Sequence, residues 1–149
     1  MSAELATWTL LVQAASTLAL TGLVWFVQVV HYPLYPSVGA ASFPAYQKRH
    51  IRLTNLVAGP LMLVELAAAV GLVAARPASV SREQAWLGLG LVILIWLSTA
   101  SLQLPRHFIL IRGFDAAVHR ALVATNWIRT LGWTARSALV LSMLRGLLA

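Results

Sequence analysis

The sequence contains no cysteine, which excludes disulfides, iron–sulfur clusters and thiol catalysis and leaves any metal to nitrogen and oxygen ligands. Acid is scarce: Glu4, Glu65, Glu83 and Asp115 are the only carboxylate side chains. There is no G-x-G-x-x-G, and Gly88-Leu89-Gly90 lies inside an apolar run rather than after a strand, so no nucleotide cofactor is expected. No H-x-x-x-H, H-x-x-E-H or E-x-x-H spacing occurs, so no two metal ligands share a helix face at the usual register. A basic region is missing ahead of the first apolar stretch, which is also too long for a cleaved secretory leader; it reads as a retained helix.

What is there is apolar: 60% of the residues are hydrophobic and 10% charged. Four apolar segments, at about 5–30, 53–75, 85–104 and 121–148, each approach the ~20 residues a bilayer crossing requires. The expectation is an all-α chain, a four-helix transmembrane bundle forming one integral membrane domain over 1–149. Eleven Lys and Arg residues against four acids, flanking apolar spans, serve orientation in a bilayer rather than nucleic-acid binding. Lys48, Arg49, Arg52, Arg106, Arg112 and Arg120 share an end with the histidines, whereas Arg76, Arg82 and Arg145 lie at the other. That asymmetry puts the histidine-bearing end in the cytoplasm and both termini outside, as in a bacterial-type inner membrane. The expected partners are the lipid bilayer and a lipophilic small molecule, with no nucleic acid; small residues at 67–71 and 88–90 leave homo-oligomer formation open.

Prolines punctuate the chain. Pro33 and Pro36 should end the first helix near His31, Ser42 should cap a lead-in into the second, and Pro60 should bend that helix while Gly59 admits a neighbour. Ser81 and Gln84 have capping-box spacing, and Gly113 with Asp115 fits a helix stop followed by a new cap. A shift of 71 residues aligns Val24-Trp25 with Ile95-Trp96, Lys48-Arg49 with His119-Arg120, and Thr54-Asn55 with Thr125-Asn126; one further residue aligns His31-x-Pro33 with Gln103-x-Pro105. The chain therefore reads as two repeated helical hairpins.

On the last helix Asn126, Arg129, Trp133 and Arg136 share a stripe that His119 extends, and on the second helix His50, Thr54, Leu61 and Glu65 share another. Glu65 and Arg136 fall at similar depth and should form a structural ion pair that fixes helix order, the other reading being a working site for a ligand or proton. Arg129 has no acid at its depth, so its guanidinium is the better candidate for holding a carboxylate, phenolate or quinone oxygen. His31, His50, His107 and His119 come from four helices or their ends. They are candidate metal ligands, with iron, copper or haem left open, or else interfacial side chains bonded to water and carbonyls. Gln28 and Gln103, a turn from His31 and His107, could orient those rings. Tyr32, Tyr35, Tyr46 and Trp127 fit an aromatic belt or the mouth of a pocket for a flat ligand, and Trp25 and Trp96 should pack the bundle.

Three segments, His31-Tyr32-Pro33, Leu102-Gln103-Leu104-Pro105-Arg106-His107 and Thr125-Asn126-Trp127-Ile128-Arg129-Thr130, resemble the anthrone-oxygenase-like group of small four-helix membrane proteins. They cover little of the chain but occupy corresponding places in the four-span layout. The resemblance implies oxygenation of electron-rich aromatic compounds without an established cofactor, with Asn126 and Arg129 as the group's recurring Asn-x-x-Arg; the four histidines depart from it. The expected function is a membrane oxidoreductase or oxygenase acting on a lipophilic aromatic or quinone-like substrate in a polar pocket. His50, His119, Arg129 and Asn126 would be catalytic, and Tyr32, Tyr46, Asn55, Gln103, Trp127 and Trp133 would contact substrate. The alternatives are a small proton- or anion-coupled transporter or channel lined by Glu65, Arg129 and Arg136, and a scaffold subunit of a membrane complex.

Overall fold

Ser2 starts the first helix: its hydroxyl accepts from the Leu5 N–H at 3.2 Å, and α1 runs over Ala3–Phe26. In this computed structural model, which describes residues 2–148, the rod does not stop near His31. It widens into a π turn over Val27–His31, in which the Tyr32 N–H reaches back to Val27 O, and then tightens into a 3₁₀ helix over Tyr32–Ser37. Pro33 and Pro36 lack the N–H that an α-helix needs, and the change of pitch lets the chain carry on without it.

The third rod repeats the device. After α3, Arg82–Ser98, a π turn spans Thr99–Gln103 with the Leu104 N–H on Thr99 O, and α4, Leu104–Leu110, follows with Pro105 in its first turn. The two π turns lie 72 residues apart, the offset that aligns His31-x-Pro33 with Gln103-x-Pro105. Between them α2, Phe43–Ala74, is continuous through Pro60, and α5, Ala116–Leu148, closes the chain.

Caps follow side-chain chemistry. Ser81 and Gln84 form the reciprocal capping box, and Asp115 Oδ1 accepts from the Ala117 and Val118 N–H groups at 2.8 and 2.9 Å. Gly113, at φ +156°, makes the turn before it. Ser42 precedes α2 but makes no side-chain cap bond, because its backbone is already helical at φ −91°, ψ −15° rather than extended.

The rods Ala3–Ser37, Phe43–Ala74 and Arg82–Leu110 are long and apolar enough to cross a membrane. α5 is not among them, since Arg120, Arg129, Arg136 and Arg145 dilute its hydropathy. α1 packs on α2 and α5, and α3 packs on the same two, so α1 faces α3 and α2 faces α5 across the bundle. Leu20, Val24, Met62, Ile95 and Trp133 fill the middle of the core. Outward stand Leu56, Leu63, Leu97 and Leu131, each more than half exposed, while Gln13, Glu65, Asn126 and Arg136 are buried. Polar groups inside and leucines outside is the inverse of a water-soluble surface.

Deep in that core Glu65 Oε1 accepts from Arg136 Nη2 and Nε, both at 2.8 Å, and from Thr17 Oγ1 at 3.2 Å. Gly88 makes room for the guanidinium: a Cβ there would fall on Arg136 Nη1. Gly59 meets no neighbour within 4 Å, so it admits no helix; it lies instead on the wall of a cavity.

Candidate functional site

The 3₁₀ segment after α1 turns Tyr32 and Tyr35 into the bundle, where both are buried rather than set in an interfacial belt. Around them stand Gln47 and His50 from α2, His107 from α4 and His119 from α5. Gln47 Nε2 donates to His107 Nδ1 at 2.8 Å, so the neutral ring carries its proton on Nε2 and donates it to the Tyr32 hydroxyl at 3.0 Å. His119 Nε2 donates to Tyr32 O at 2.8 Å, and its ring stacks on Tyr35 at 5.7 Å. His31 Nε2 and His50 Nδ1 share a hydrogen bond of 2.8 Å, with Thr54 Oγ1 3.3 Å from His50 Nδ1.

These bonds engage all four histidines, which the sequence offered either as candidate metal ligands or as interfacial side chains bonded to water and carbonyls. His107 spends both nitrogens, His119 spends Nε2 on a carbonyl, and His31 and His50 turn toward each other. Among the described residues no three His, Asp or Glu side chains are grouped to hold a metal ion.

One helical turn deeper a second network fixes Arg129. Gln28 Nε2 donates to Val123 O at 3.2 Å, Gln28 Oε1 accepts from Asn126 Nδ2 at 2.8 Å, and Asn126 Oδ1 accepts from Arg129 Nη1 at 3.0 Å. Gln28 therefore braces Asn126 rather than His31. Gln103 does not orient His107 either; its Oε1 accepts from Ser98 Oγ at 3.1 Å.

Arg129 lies on the wall of a cavity of about 240 Å³ reached by all four rods. Tyr32, His50, Asn55, Gln103 and Trp133 lie on the same wall, as do His107, Trp96 and Thr99. No carboxylate lines it, and the only ion pair among the described residues is Glu65 with Arg136, so the Arg129 charge is uncompensated. Three buried N–H groups of this wall, Trp96 Nε1, Gln103 Nε2 and Arg129 Nε, have no acceptor. Donors left unpaired in a low-dielectric interior each cost about 1–3 kcal/mol.

Other expected site residues lie elsewhere. Asn126 acts through Arg129 without lining the cavity, and His119 clamps the Tyr32 backbone. Tyr46 lines a separate outer groove. Trp127 stands 40% exposed, edge-on to Trp25 at 5.6 Å, and Trp25 donates through Nε1 to Thr134 Oγ1 at 2.9 Å on the bundle's outer face. Gln47, fully buried, escaped the sequence reading although it sits one turn before His50 on the same stripe. Comparisons with protein-family models, with curated proteins and with solved structures each return no match.

Proposed function

We propose that this chain is an integral membrane oxygenase whose cavity receives a lipophilic aromatic ketone or phenol from the bilayer and oxidises an activated methylene to a carbonyl with molecular oxygen. The observation that carries the reading is the uncompensated Arg129 on the wall of a cavity that also carries Trp96 and Gln103, each with an unpaired donor, and that mixes apolar and aromatic side chains with His50, Thr54, Asn55, Thr99 and His107. The fourth span, α5, crosses with Arg129 and Arg136 turned inward and Arg120 and Arg145 exposed near its ends, and the histidine end faces the cytoplasm.

In the reaction, substrate oxygen faces Arg129, which stabilises the enolate or phenolate formed when His50 removes a proton. The proton is relayed through the His50–His31 hydrogen bond. The anion gives one electron to oxygen; the resulting carbon radical and superoxide combine, and the returned proton completes a hydroperoxide. Loss of water then leaves the ketone, so that R₂CH₂ and O₂ become R₂C=O and H₂O with no further reductant. A path for ions is less well supported, since neither Glu65 nor Arg136 is on the wall of the cavity around Arg129 or of the outer groove beside Tyr46.

The test is turnover of an anthrone-type methylene ketone by protein in lipid nanodiscs under ¹⁸O₂. One ¹⁸O in the new carbonyl, at a rate well above protein-free discs, is expected; product formed only at the protein-free rate would overturn the proposal.

A further inference from the structure

Outside the cavity, the seam between α1 and α2 carries a groove of about 450 Å³. Phe26 and Val27 from the first rod and Leu53 and Val57 from α2 make its walls, and Phe26, Leu53 and Val57 are each about half exposed. Arg49 and Tyr46 stand at one end of it, beside the His31–His50 pair. Since the helices run antiparallel, Arg49 lies level with His31 while Val57 lies about 12 Å deeper, eight residues along α2. The groove is therefore polar and cationic at its mouth and apolar along its length.

Arg49 is exposed and forms none of the ion pairs among the described residues. Its neighbours at this end are Lys48, Arg52, Arg106, Arg112 and Arg120, with Asp115 the only acid. A zwitterionic headgroup brings no net charge to such a mouth, whereas an anionic one brings the missing counter-charge.

We propose that this groove is a binding site for one anionic phospholipid, its phosphate against Arg49 and one acyl chain along Phe26, Leu53 and Val57. The site rests on the membrane reading of the chain and is independent of the chemistry in the cavity. The two spaces share Leu23, Val27, His50 and Thr54, so the bound acyl chain backs the thin wall between groove and cavity.

The test is native mass spectrometry of the detergent-solubilised protein, titrated with phosphatidylglycerol and phosphatidylcholine of identical chains. The wild type should retain the anionic lipid about 5-fold more strongly, the ~1 kcal/mol that one basic residue contributes near an anionic headgroup. Arg49→Gln should abolish the preference while Arg112→Gln keeps it, and Val57→Trp or Leu53→Trp, filling the groove, should reduce retention of the anionic lipid. Equal retention of the two lipids by the wild type, equal loss in Arg49→Gln and Arg112→Gln, or full retention in both tryptophan variants would each overturn the site. Failure to retain any lipid would overturn the membrane reading as well.

Discussion

Glu65 and Arg136 are 71 residues apart and meet at 2.8 Å in the core, at the same offset that aligns Thr54-Asn55 with Thr125-Asn126. The pair joins α2 and α5, which face each other across the bundle. Its Oε2 and Nη1 atoms have no partner, and Thr17 Oγ1 supplies a further bond to Glu65 Oε1.

Removing one partner leaves a bare buried charge. Arg136→Leu should destabilise the protein by about 3–5 kcal/mol, and the Glu65→Leu/Arg136→Leu double variant should recover most of that loss. Unfolding in detergent by chaotrope measures both; a double variant no more stable than the single would show that the pair itself stabilises the fold.

Gly88→Ala places a methyl on the Arg136 guanidinium and should cost about 1–3 kcal/mol. Gly90, with open space around its missing Cβ, provides the control: Gly90→Ala should be neutral or slightly stabilising in the same melt.

Much of this arrangement was legible in the sequence because membrane helices leave few polar residues and each has a reason to point inward. The stripes through Glu65 and Arg136 foresaw the ion pair, and Ser81 with Gln84 foresaw its capping box. The run past His31 was not legible, since a proline announces a lost donor but not whether the chain stops or changes pitch. The histidines show the limit at the site. Four rings at one end were visible, but Gln47, Tyr32 O and the neighbouring imidazole had already claimed their nitrogens, and only packing decides that. Likewise the pairing of Gln28 with Asn126 joins residues 98 apart.

Tyr32→Phe removes the acceptor of the His107 Nε2 proton while Gln47 still holds Nδ1. A loss of about 1–3 kcal/mol is expected, the cost of one unsatisfied buried group. Thermal melts of Tyr32→Phe and Gln47→Leu, alone and combined, check it; the combined loss should differ from the sum, because both act on one ring.

The absence of cysteine makes single-cysteine labelling clean. With the histidine end in the cytoplasm, Arg112→Cys in intact bacterial cells should resist a membrane-impermeant maleimide, and Ala78→Cys, on the exposed turn at the other end, should react. The reverse pattern would invert the orientation.

In the proposed reaction Arg129 stabilises negative charge on a substrate oxygen. The measurement that tests it most directly is oxygen uptake per carbonyl formed by Arg129→Leu, Arg129→Lys and wild type in the same nanodiscs, with melts run alongside. Wild type should consume one O₂ per carbonyl, Arg129→Leu should lose about 10²–10³-fold in turnover, and Arg129→Lys should recover part of it, as for removal and partial replacement of an oxyanion donor. A folded Arg129→Leu protein that turns over at the wild-type rate would contradict the account.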